Sequence, residues 1–324
     1  MAGAVNNATC AATRDAASGG FRWRRMTWAL TWMMGMIMGV TEGRGEEALA
    51  FPDRFVSPEW LAERLDHPGL RIVQVGGESY YEKIHLPGAV YLDYKRLLSA
   101  EEGVGGRRAD VEALVALITP LGIAPETAVL AYDATGGMDG ARFLWTLMTL
   151  GHDRGAVLDG GMAIWHQKGL PLTPTLPRVT PVPFVPRERR GDWGADWERV
   201  MAISEGRLPG VLLDVRSPRE YLGISLKMPR GHVPGAVNLE WTETLADPRQ
   251  PLLKADEENR RILAEAGVND PHQEVVALCE TGHRAAQTWL LLQRLGFTKS
   301  RLYDGSMAEW RARELPTVTG SDPR

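Results

Sequence analysis

The chain contains two copies of one set of short motifs, separated by nearly constant spacing. His-Leu-Pro-Gly-Ala-Val at 85–90 returns as His-Val-Pro-Gly-Ala-Val at 232–237, an offset of 147 residues. Asp-Gly-Gly-Met-Ala-Ile-Trp at 159–165 returns as Asp-Gly-Ser-Met-Ala-Glu-Trp at 304–310, an offset of 145 residues. Matches in the same order at nearly the same offset indicate an internal duplication. The sequence therefore predicts two copies of one domain.

A proline-rich segment separates the two copies. Six prolines fall between positions 171 and 186, and such a segment is extended and semi-rigid, without helix or interior strand. We therefore place the first domain at residues 52–170, the linker at 171–192 and the second domain at 193–318. The chain length of 324 residues agrees with two domains.

Strand-like and helical patterns alternate within the second copy. The short strand-like segments lie at 211–215, 274–278 and 300–303, and the helical patterns lie at 256–266, 285–295 and 307–314. Strands that alternate with helices predict an α/β fold, with a mainly parallel sheet flanked by helices in each domain. Ligands of such sheets bind beyond the carboxyl ends of the strands.

The first fifty residues differ from the rest of the chain. Three arginines between positions 22 and 25 precede an uncharged run at 26–40, and Ala-Leu-Ala at 48–50 offers a small-residue cleavage site. These features predict a secretory signal over residues 1–50 and a periplasmic protein. The 15-residue run is shorter than the roughly 20 residues that a membrane-spanning helix needs. An uncleaved membrane anchor, a cytoplasmic protein and a translation start at Met26 are the alternatives.

The composition excludes several classes of site. Cys10 and Cys279 are the two cysteines of the chain, so a disulfide framework, a cysteine-rich metal site and a dithiol pair are excluded. The seven histidines are scattered, without the spacing of a metallopeptidase. The net charge of -4 gives no overall basic footprint for nucleic acid, and it leaves room for a local basic pocket that binds a small anion. We expect no metal, no organic cofactor and no nucleic-acid partner.

Cys279 stands directly after the predicted strand at 274–278, and a helix is predicted to begin near Arg284. A loop between a strand and a helix N-terminus presents backbone N–H groups and the positive end of the helix dipole to one point. Both favour a thiolate, so the sequence predicts a nucleophilic sulfur. Gly282 permits the close approach of a ligand. Arg284 is expected to fix the loop or to pair with an anion.

The corresponding loop of the first copy carries no thiol. The Thr-Gly pair at 135–136 matches the pair at 281–282 at an offset of 146, whereas Asp133 stands in place of Cys279. The alternative interpretation of Cys279 is a buried structural thiol. A thiol needed only for packing is not expected to become a carboxylate in the twin. We therefore predict that the second domain is active and that the first is a supporting, thiol-free copy.

Four ordered motifs of the second copy resemble those of the rhodanese family. The pattern Cys-x-x-Gly-x-Arg at 279–284 resembles the active-site loop, and residues 214–221 and 231–238 resemble the first two motifs. Residues 304–310 resemble the closing motif. The tandem arrangement, with an aspartate in the first loop, is similar to that of thiosulfate and 3-mercaptopyruvate sulfurtransferases. The resemblance covers about residues 52–318.

The resemblance implies a sulfurtransferase with two rhodanese-like domains, in which Cys279 carries the sulfur as a persulfide. The backbone amides of residues 280–284 would hold the anion, and Asp214 and Arg216 would support the loop and tune its charge. His232 is expected to anchor a turn. The implied substrate-binding residues are Glu280, Thr281, Gly282, His283, Arg284 and Arg219. The implied partners are a small anionic sulfur donor and a thiol or cyanide acceptor, and the implied state is a monomer.

The loop also departs from the patterns of known relatives. Many tandem thiosulfate enzymes carry basic residues directly after the cysteine, where this chain has Glu280 and Thr281, and the Cys-Gly-Ser-Gly-Val loop of mercaptopyruvate enzymes is absent too. An arginine that binds substrate in some relatives aligns with Glu220, and the adjacent Arg219 is the candidate to replace it. The loop looks most like a bacterial subgroup with Cys-x-Thr-x-His-Arg. The identity of the sulfur donor therefore stays open.

Two alternative functions use the same loop. Related phosphatases resemble Cys-x5-Arg, with room for a tetrahedral phosphate, whereas here four residues separate Cys279 and Arg284. The other alternative is a periplasmic protein that binds a partner or carries sulfur without turnover. The charge of Glu280 beside a thiolate would disfavour anionic donors and so favours this second alternative.

Overall fold

The computed structural model describes residues 49–101, 103–188, 191–225 and 231–323. These residues form one compact unit. Nearly all of the predicted signal segment, including Cys10, lies outside them. None of the helices in these ranges is both long and apolar enough to span a membrane.

The described residues form fourteen strands. In chain order they are β1 Phe55–Val56, β2 Leu70–Gly76, β3 Val90–Asp93, β4 Leu98–Glu101, β5 Val104–Arg108, β6 Ala128–Tyr132, β7 Gly155–Leu158, β8 Gly194–Ala195, β9 Val211–Asp214, β10 Val237–Asn238, β11 Leu245–Asp247, β12 Gln250–Leu253, β13 Val275–Leu278 and β14 Ser300–Tyr303. One five-stranded parallel sheet has the order β1-β7-β6-β2-β3, and the other has the order β8-β14-β13-β9-β10. The two sheets share one topology, which confirms the predicted α/β fold with a duplicated sheet.

Ten α-helices and three 3₁₀ turns occur in the same described ranges. The helices are α1 Pro58–Ala62, α2 Glu78–Tyr81, α3 Val111–Ile118, α4 Met138–Thr149, α5 Gly161–Gln167, α6 Trp197–Ser204, α7 Pro218–Tyr221, α8 Asp256–Glu265, α9 His283–Arg294 and α10 Ser306–Ala312, and the 3₁₀ turns are Tyr94–Leu97, Thr119–Leu121 and Trp241–Thr244. The central strands β6 and β13 are buried at every position. Continuous burial is expected where helices cover both faces of a parallel sheet.

The tryptophans of the repeated closing motif pack identically in the two halves. Trp165 and Trp310 are fully buried. Their indole N–H groups donate to the carbonyl of Pro171 at 2.8 Å and of Pro316 at 2.7 Å. Burial of a large ring with a satisfied N–H stabilises the fold, so the repeat encodes the same core contact twice.

The linker segment packs against the first half of the chain. Residues 171–188 contain neither helix nor strand. The backbone of Thr173 pairs with that of His85, and the amide of Val182 donates to the carbonyl of Thr119 at 3.1 Å. Because Phe184 is also buried, hydrogen bonds and apolar contact hold the segment in place.

Two hairpins exchange contacts between the halves. The amide of Arg108, on the hairpin β4–β5, donates to the carboxylate of Asp304 at 3.0 Å. The amide of Leu253, on the hairpin β11–β12, donates to the carboxylate of Asp159 at 3.0 Å. Helices α4 and α9 pack against each other between the two sheets. Each half therefore builds part of the environment of the loop in the other half.

Candidate active site

Cys279 follows β13 directly, and α9 begins four residues later. The residue is 1% exposed. Its amide donates to Oγ of Ser306 at 3.1 Å, and its carbonyl accepts from the amide of Met307 at 3.1 Å. Both contacts come from the start of α10, so the closing motif fixes the cysteine backbone.

Ser306 holds an unusual backbone conformation to make this contact. Its φ is +47°, in the left-handed region that L-residues adopt at a cost. Its hydroxyl donates to the carbonyl of Tyr303 at 2.7 Å while accepting from Cys279. The first half has Gly161 at the equivalent position, with φ of +51°. Ser306 was not identified from the sequence. The replacement of Gly161 in the first motif by Ser306 in the second could have pointed to it.

The loop after Cys279 has the form of an anion site. No described residue accepts a hydrogen bond from the backbone amides of residues 280–284. Gly282, with φ of +74°, ends the loop and begins the twelve-residue helix α9. Unpaired amides together with the positive end of the helix dipole favour a negative charge on the cysteine side chain.

The twin loop of the first half already holds an anion. The carboxylate of Asp133 accepts from the amides of Thr135 and Gly137 at 2.9 Å and of Gly140 at 2.8 Å. Burial and the neighbouring charge of Asp139 raise the pKa of Asp133, and the three amide bonds oppose that rise. A carboxylate oxygen lies two bonds from the β-carbon, as the outer sulfur of a cysteine persulfide does. Asp133 therefore shows that the amides of such a loop can hold an acidic side chain. The first loop is one residue longer, since α4 begins five residues after Asp133 and α9 begins four residues after Cys279.

Arg284 forms a two-point ion pair with Glu220. Both hydrogen bonds measure 2.8 Å. Glu220 is oriented by a capping box with Ser217 at the start of α7. Burial alone would raise the pKa of Glu220, but the hydrogen bonds from Arg284 and Ser217 lower it to about 2. For Arg284, the bonds to Glu220 and the charge of Cys279 outweigh burial and raise the pKa.

This pair gives Glu220 a role that the sequence comparison did not predict. Glu220 is the counter-ion of the loop arginine rather than the site of a lost substrate cation. Arg219, the predicted replacement for that cation, is exposed. Within the described part of the chain, no contact joins Arg219 to the loop, and its substrate role stays a prediction.

Asp214 and Arg216 form a buried ion pair beneath the loop. Both side chains are 0% exposed, and Arg216 contacts both carboxylate oxygens of Asp214 at 2.6 to 3.1 Å. Arg216 also donates to the carbonyl of Gly231 at 2.9 Å. Burial would lower the pKa of Arg216, but Asp214 outweighs it and raises the pKa. The pair joins the first and second motifs, which fits a supporting role.

Glu280 is neutralised by a partner that the sequence did not reveal. Its carboxylate accepts a hydrogen bond from Arg311 on α10. The negative charge beside Cys279 is therefore compensated. The expected repulsion of anionic donors is correspondingly weaker.

The first half of the chain closes over the remaining loop residues. Thr281 packs directly on Gly106 of β5. A β-carbon added to Gly106 would lie only 2.5 Å from the β-carbon of Thr281. His283 is hydrogen-bonded to Asp139 at 2.6 Å and lies against the ring of Tyr94 at 4.5 Å between centroids. These residues of the first half were also missed, since nothing in their spacing marks them as neighbours of the loop.

His232 anchors a turn, as expected from the sequence. Its Nδ1 donates to the carbonyl of Tyr221 at 2.8 Å, and the two rings stack at 3.6 Å. His85 and Tyr81 repeat this contact in the first half. Burial lowers the pKa of His232, which suits a neutral structural imidazole.

A cavity of about 310 Å³ lies in the first half of the chain, and Tyr94, Lys95 and Asp139 contribute to its wall. Tyr94 and Asp139 also contact His283. Within the described ranges, His, Cys, Asp and Glu form no group of three or more that could hold a metal ion.

Comparisons with known proteins cover both halves. The family model of the Rhodanese-like domain matches residues 57–168 and 198–313. A thiosulfate sulfurtransferase of Azotobacter vinelandii is 34% identical over 259 residues, which is 79% of this chain and 93% of that protein. A sulfur carrier protein of Thermus thermophilus is 30% identical, covering 81% of this chain and 94% of that protein. The crystal structure of a 3-mercaptopyruvate sulfotransferase from Escherichia coli superposes with a TM-score of 0.68 at 26% identity, covering 78% of this chain and 98% of that one.

Proposed function

The chain belongs to the rhodanese family and is a sulfurtransferase, and we propose that it moves a sulfane sulfur through a persulfide on Cys279. The proposed donor is thiosulfate or a similar small anion, and the proposed acceptor is cyanide or a thiol. One observation carries this proposal. Among the residues that the structure describes, none accepts a hydrogen bond from the amides of residues 280–284, while amides of the matching loop in the first half hold the Asp133 carboxylate. The Cys279 loop therefore has the arrangement of an anion-binding site.

In the first step the Cys279 thiolate attacks the outer sulfur of thiosulfate. A bond forms between the two sulfurs, and the bond to the central sulfur of the donor breaks. Sulfite leaves with the electron pair of that bond, and an anionic persulfide remains on Cys279. The amides of the loop and the positive end of α9 stabilise the terminal sulfur, and Arg284, held by Glu220, fixes the start of that helix.

In the second step the acceptor removes the outer sulfur. Cyanide attacks that sulfur, thiocyanate forms, and the Cys279 thiolate is regenerated with the electron pair of the broken sulfur–sulfur bond. Two transfers through a covalent intermediate replace one difficult transfer. Every proposed step uses the thiol, the loop amides and the neighbouring charges of this chain.

The burial of Cys279 favours a small reagent. At 1% exposure, the thiol is accessible to a small ion more readily than to the surface of another protein. Compensation of Glu280 by Arg311 also weakens the main argument against an anionic donor. The alternative of a carrier without turnover keeps its support from the similarity to a sulfur carrier protein.

The proposal is tested by mass spectrometry and steady-state kinetics. Exposure to thiosulfate should add about 32 Da, one sulfur, to Cys279. Cyanide should then release the sulfur and sustain turnover, whereas Cys279→Ser should fold and lose transfer. Persulfide formation without turnover would identify a carrier, and an unmodified Cys279 would contradict the proposal. Initial rates with 3-mercaptopyruvate identify the preferred donor, and an aryl phosphate tests the phosphatase alternative.

We also propose that the chain is exported to the periplasm. Its N-terminal pattern of arginines, an uncharged run and a small-residue site supports this. Cell fractionation followed by N-terminal sequencing should find a mature chain that begins near Phe51. A full-length chain in the cytoplasmic or membrane fraction would contradict it.

A further inference from the structure

Arg142, a residue of the thiol-free half, is buried against the Cys279 loop. It lies on α4, and its side chain is 0% exposed. A β-carbon on Gly282 would lie 2.7 Å from its Nη1 atom. The guanidinium therefore touches the loop between Cys279 and the start of α9.

Part of the hydrogen-bonding capacity of Arg142 is unused. Its Nη2 donates to the carbonyl of Gly106 at 3.1 Å and to the carboxylate of Asp304. Its Nε and Nη1 are buried and find no acceptor among the described residues. Leaving a buried donor unpaired costs about 1–3 kcal/mol, and native structures rarely do so without a functional reason. An acceptor that arrives with a ligand would complete this set.

Three other arginines around the loop each have a carboxylate partner close to Cys279 or its supporting motifs. Arg284 makes two-point contact with Glu220, and Arg311 pairs with Glu280. Arg216 also leaves Nη1 without an acceptor, but it contacts both oxygens of Asp214. Arg142 reaches its carboxylate through Nη2, and the other oxygen of Asp304 accepts from the amide of Arg108.

We infer that Arg142 binds the oxygens of the anionic sulfur donor, so that the second half receives its substrate cation from the first. This inference rests on the proposed sulfur transfer at Cys279. A guanidinium presents its N–H groups as a planar fork that matches an oxyanion. Thiosulfate would place its outer sulfur at the Cys279 thiolate and its oxygens at Nη1 and Nε of Arg142. Sulfite, the leaving group, would keep the contact to Arg142 until it departs.

The test compares Arg142→Gln with a matched arginine variant away from the loop. Arg199 pairs with Glu274, which precedes β13 at the end opposite Cys279, so Arg199→Gln also removes a cation from an ion pair. If Arg142 binds the donor, Arg142→Gln should raise the KM for thiosulfate and the inhibition constant of sulfite by about tenfold to a hundredfold. Arg199→Gln should raise neither constant. The KM of an uncharged acceptor, dithiothreitol, should be unchanged in both.

The outcomes separate this inference from the proposed function. Equal rises of the thiosulfate KM and the dithiothreitol KM in Arg142→Gln would show a purely structural contact and overturn it. An unchanged KM in Arg142→Gln would overturn it as well. Failure of the wild-type chain to form a persulfide would instead refute sulfur transfer itself. If Arg142→Gln does not fold, Arg142→Lys keeps the charge without the fork and should raise the thiosulfate KM by a smaller factor.

Discussion

Asp159 and Asp304 occupy equivalent positions in the two halves and accept equivalent hairpin amides, but Asp304 alone of the two contacts Arg142 in the described part of the chain. Burial raises the pKa of Asp159 to about 6, although the amide of Leu253 and the charge of Arg294 both lower it. The carboxylate of Asp304 is thus paired directly with an arginine. The equivalent carboxylate of Asp159 has too little compensation for its burial.

This asymmetry predicts a specific pH dependence of stability. The folded-state pKa of Asp159 exceeds the unfolded value of about 3.9. Its contribution to stability is therefore fully present below about pH 4 and is lost as the pH rises through about 6. The asparagine of Asp159→Asn does not titrate. The free energy of unfolding of this variant, relative to that of the wild type, should therefore increase between pH 4 and pH 7. Denaturant titrations across this range check the trend, and a constant difference would contradict it.

Replacing Cys279 with aspartate should reproduce the arrangement of the first half. Asp133 shows that a carboxylate can accept from the amides of such a loop. We therefore expect Cys279→Asp to fold, with the new carboxylate bound to the amides of the Cys279 loop. Cys279→Ser leaves the site open. Sulfite should therefore raise the melting temperature of Cys279→Ser but not of Cys279→Asp. Equal shifts in the two variants would show that sulfite binds elsewhere.

The Glu220–Arg284 pair predicts a loss of stability in acid. Because the folded-state pKa of Glu220 is lowered to about 2, its contribution is present above its unfolded value of about 4.3 and is lost as the pH falls through about 2. Glu220→Gln should cost roughly 1–3 kcal/mol at pH 7, and its deficit should shrink towards pH 2.

An exposed ion pair provides the control for Glu220→Gln. Glu265 pairs with Arg261 on the surface of α8, where such contacts contribute less than about 1 kcal/mol. Glu265→Gln should leave the free energy of unfolding nearly unchanged at every pH. A similar loss in both variants would refute the special role of the Glu220–Arg284 pair.

The regular elements follow from local sequence. The short strand predicted at 300–303 coincides with β14, and the apolar run at 274–278 contains β13. The run at β13 is recognisable because a buried parallel strand is continuously apolar and bounded by polar or turn residues. Helix α9 begins at His283 rather than at Ala285. The reason is that Gly282 takes a positive φ and starts the helix directly after it.

The contacts around the loop do not follow from local sequence, because they join distant segments. His283 meets Asp139, which lies 144 residues earlier, and Arg284 meets Glu220 across 64 residues. Motif spacing identifies Cys279 and its loop, since those residues are adjacent in the chain. It gives no information on which side chains the opposite half supplies. The packing of α4 on α9 decides that, and Arg142 therefore became visible only in the structure.

The close contacts of Gly282 test whether the Cys279 loop depends on packing against the first half of the chain. Gly282 and Gly296 both have positive φ, +74° and +84°. A β-carbon on Gly282 would lie 2.7 Å from Nη1 of Arg142 and 2.8 Å from the carbonyl of Asp304, whereas no atom lies within 4 Å of one on Gly296. Gly296→Ala should therefore cost only the backbone strain of about 1–2 kcal/mol and keep activity. Gly282→Ala should cost more and should also lose sulfur transfer, because the added carbon separates the loop from the first half. Melting temperatures and thiosulfate kinetics of the two variants measure the difference, and equal losses would mean that strain alone, rather than contact across the halves, makes glycine necessary at position 282.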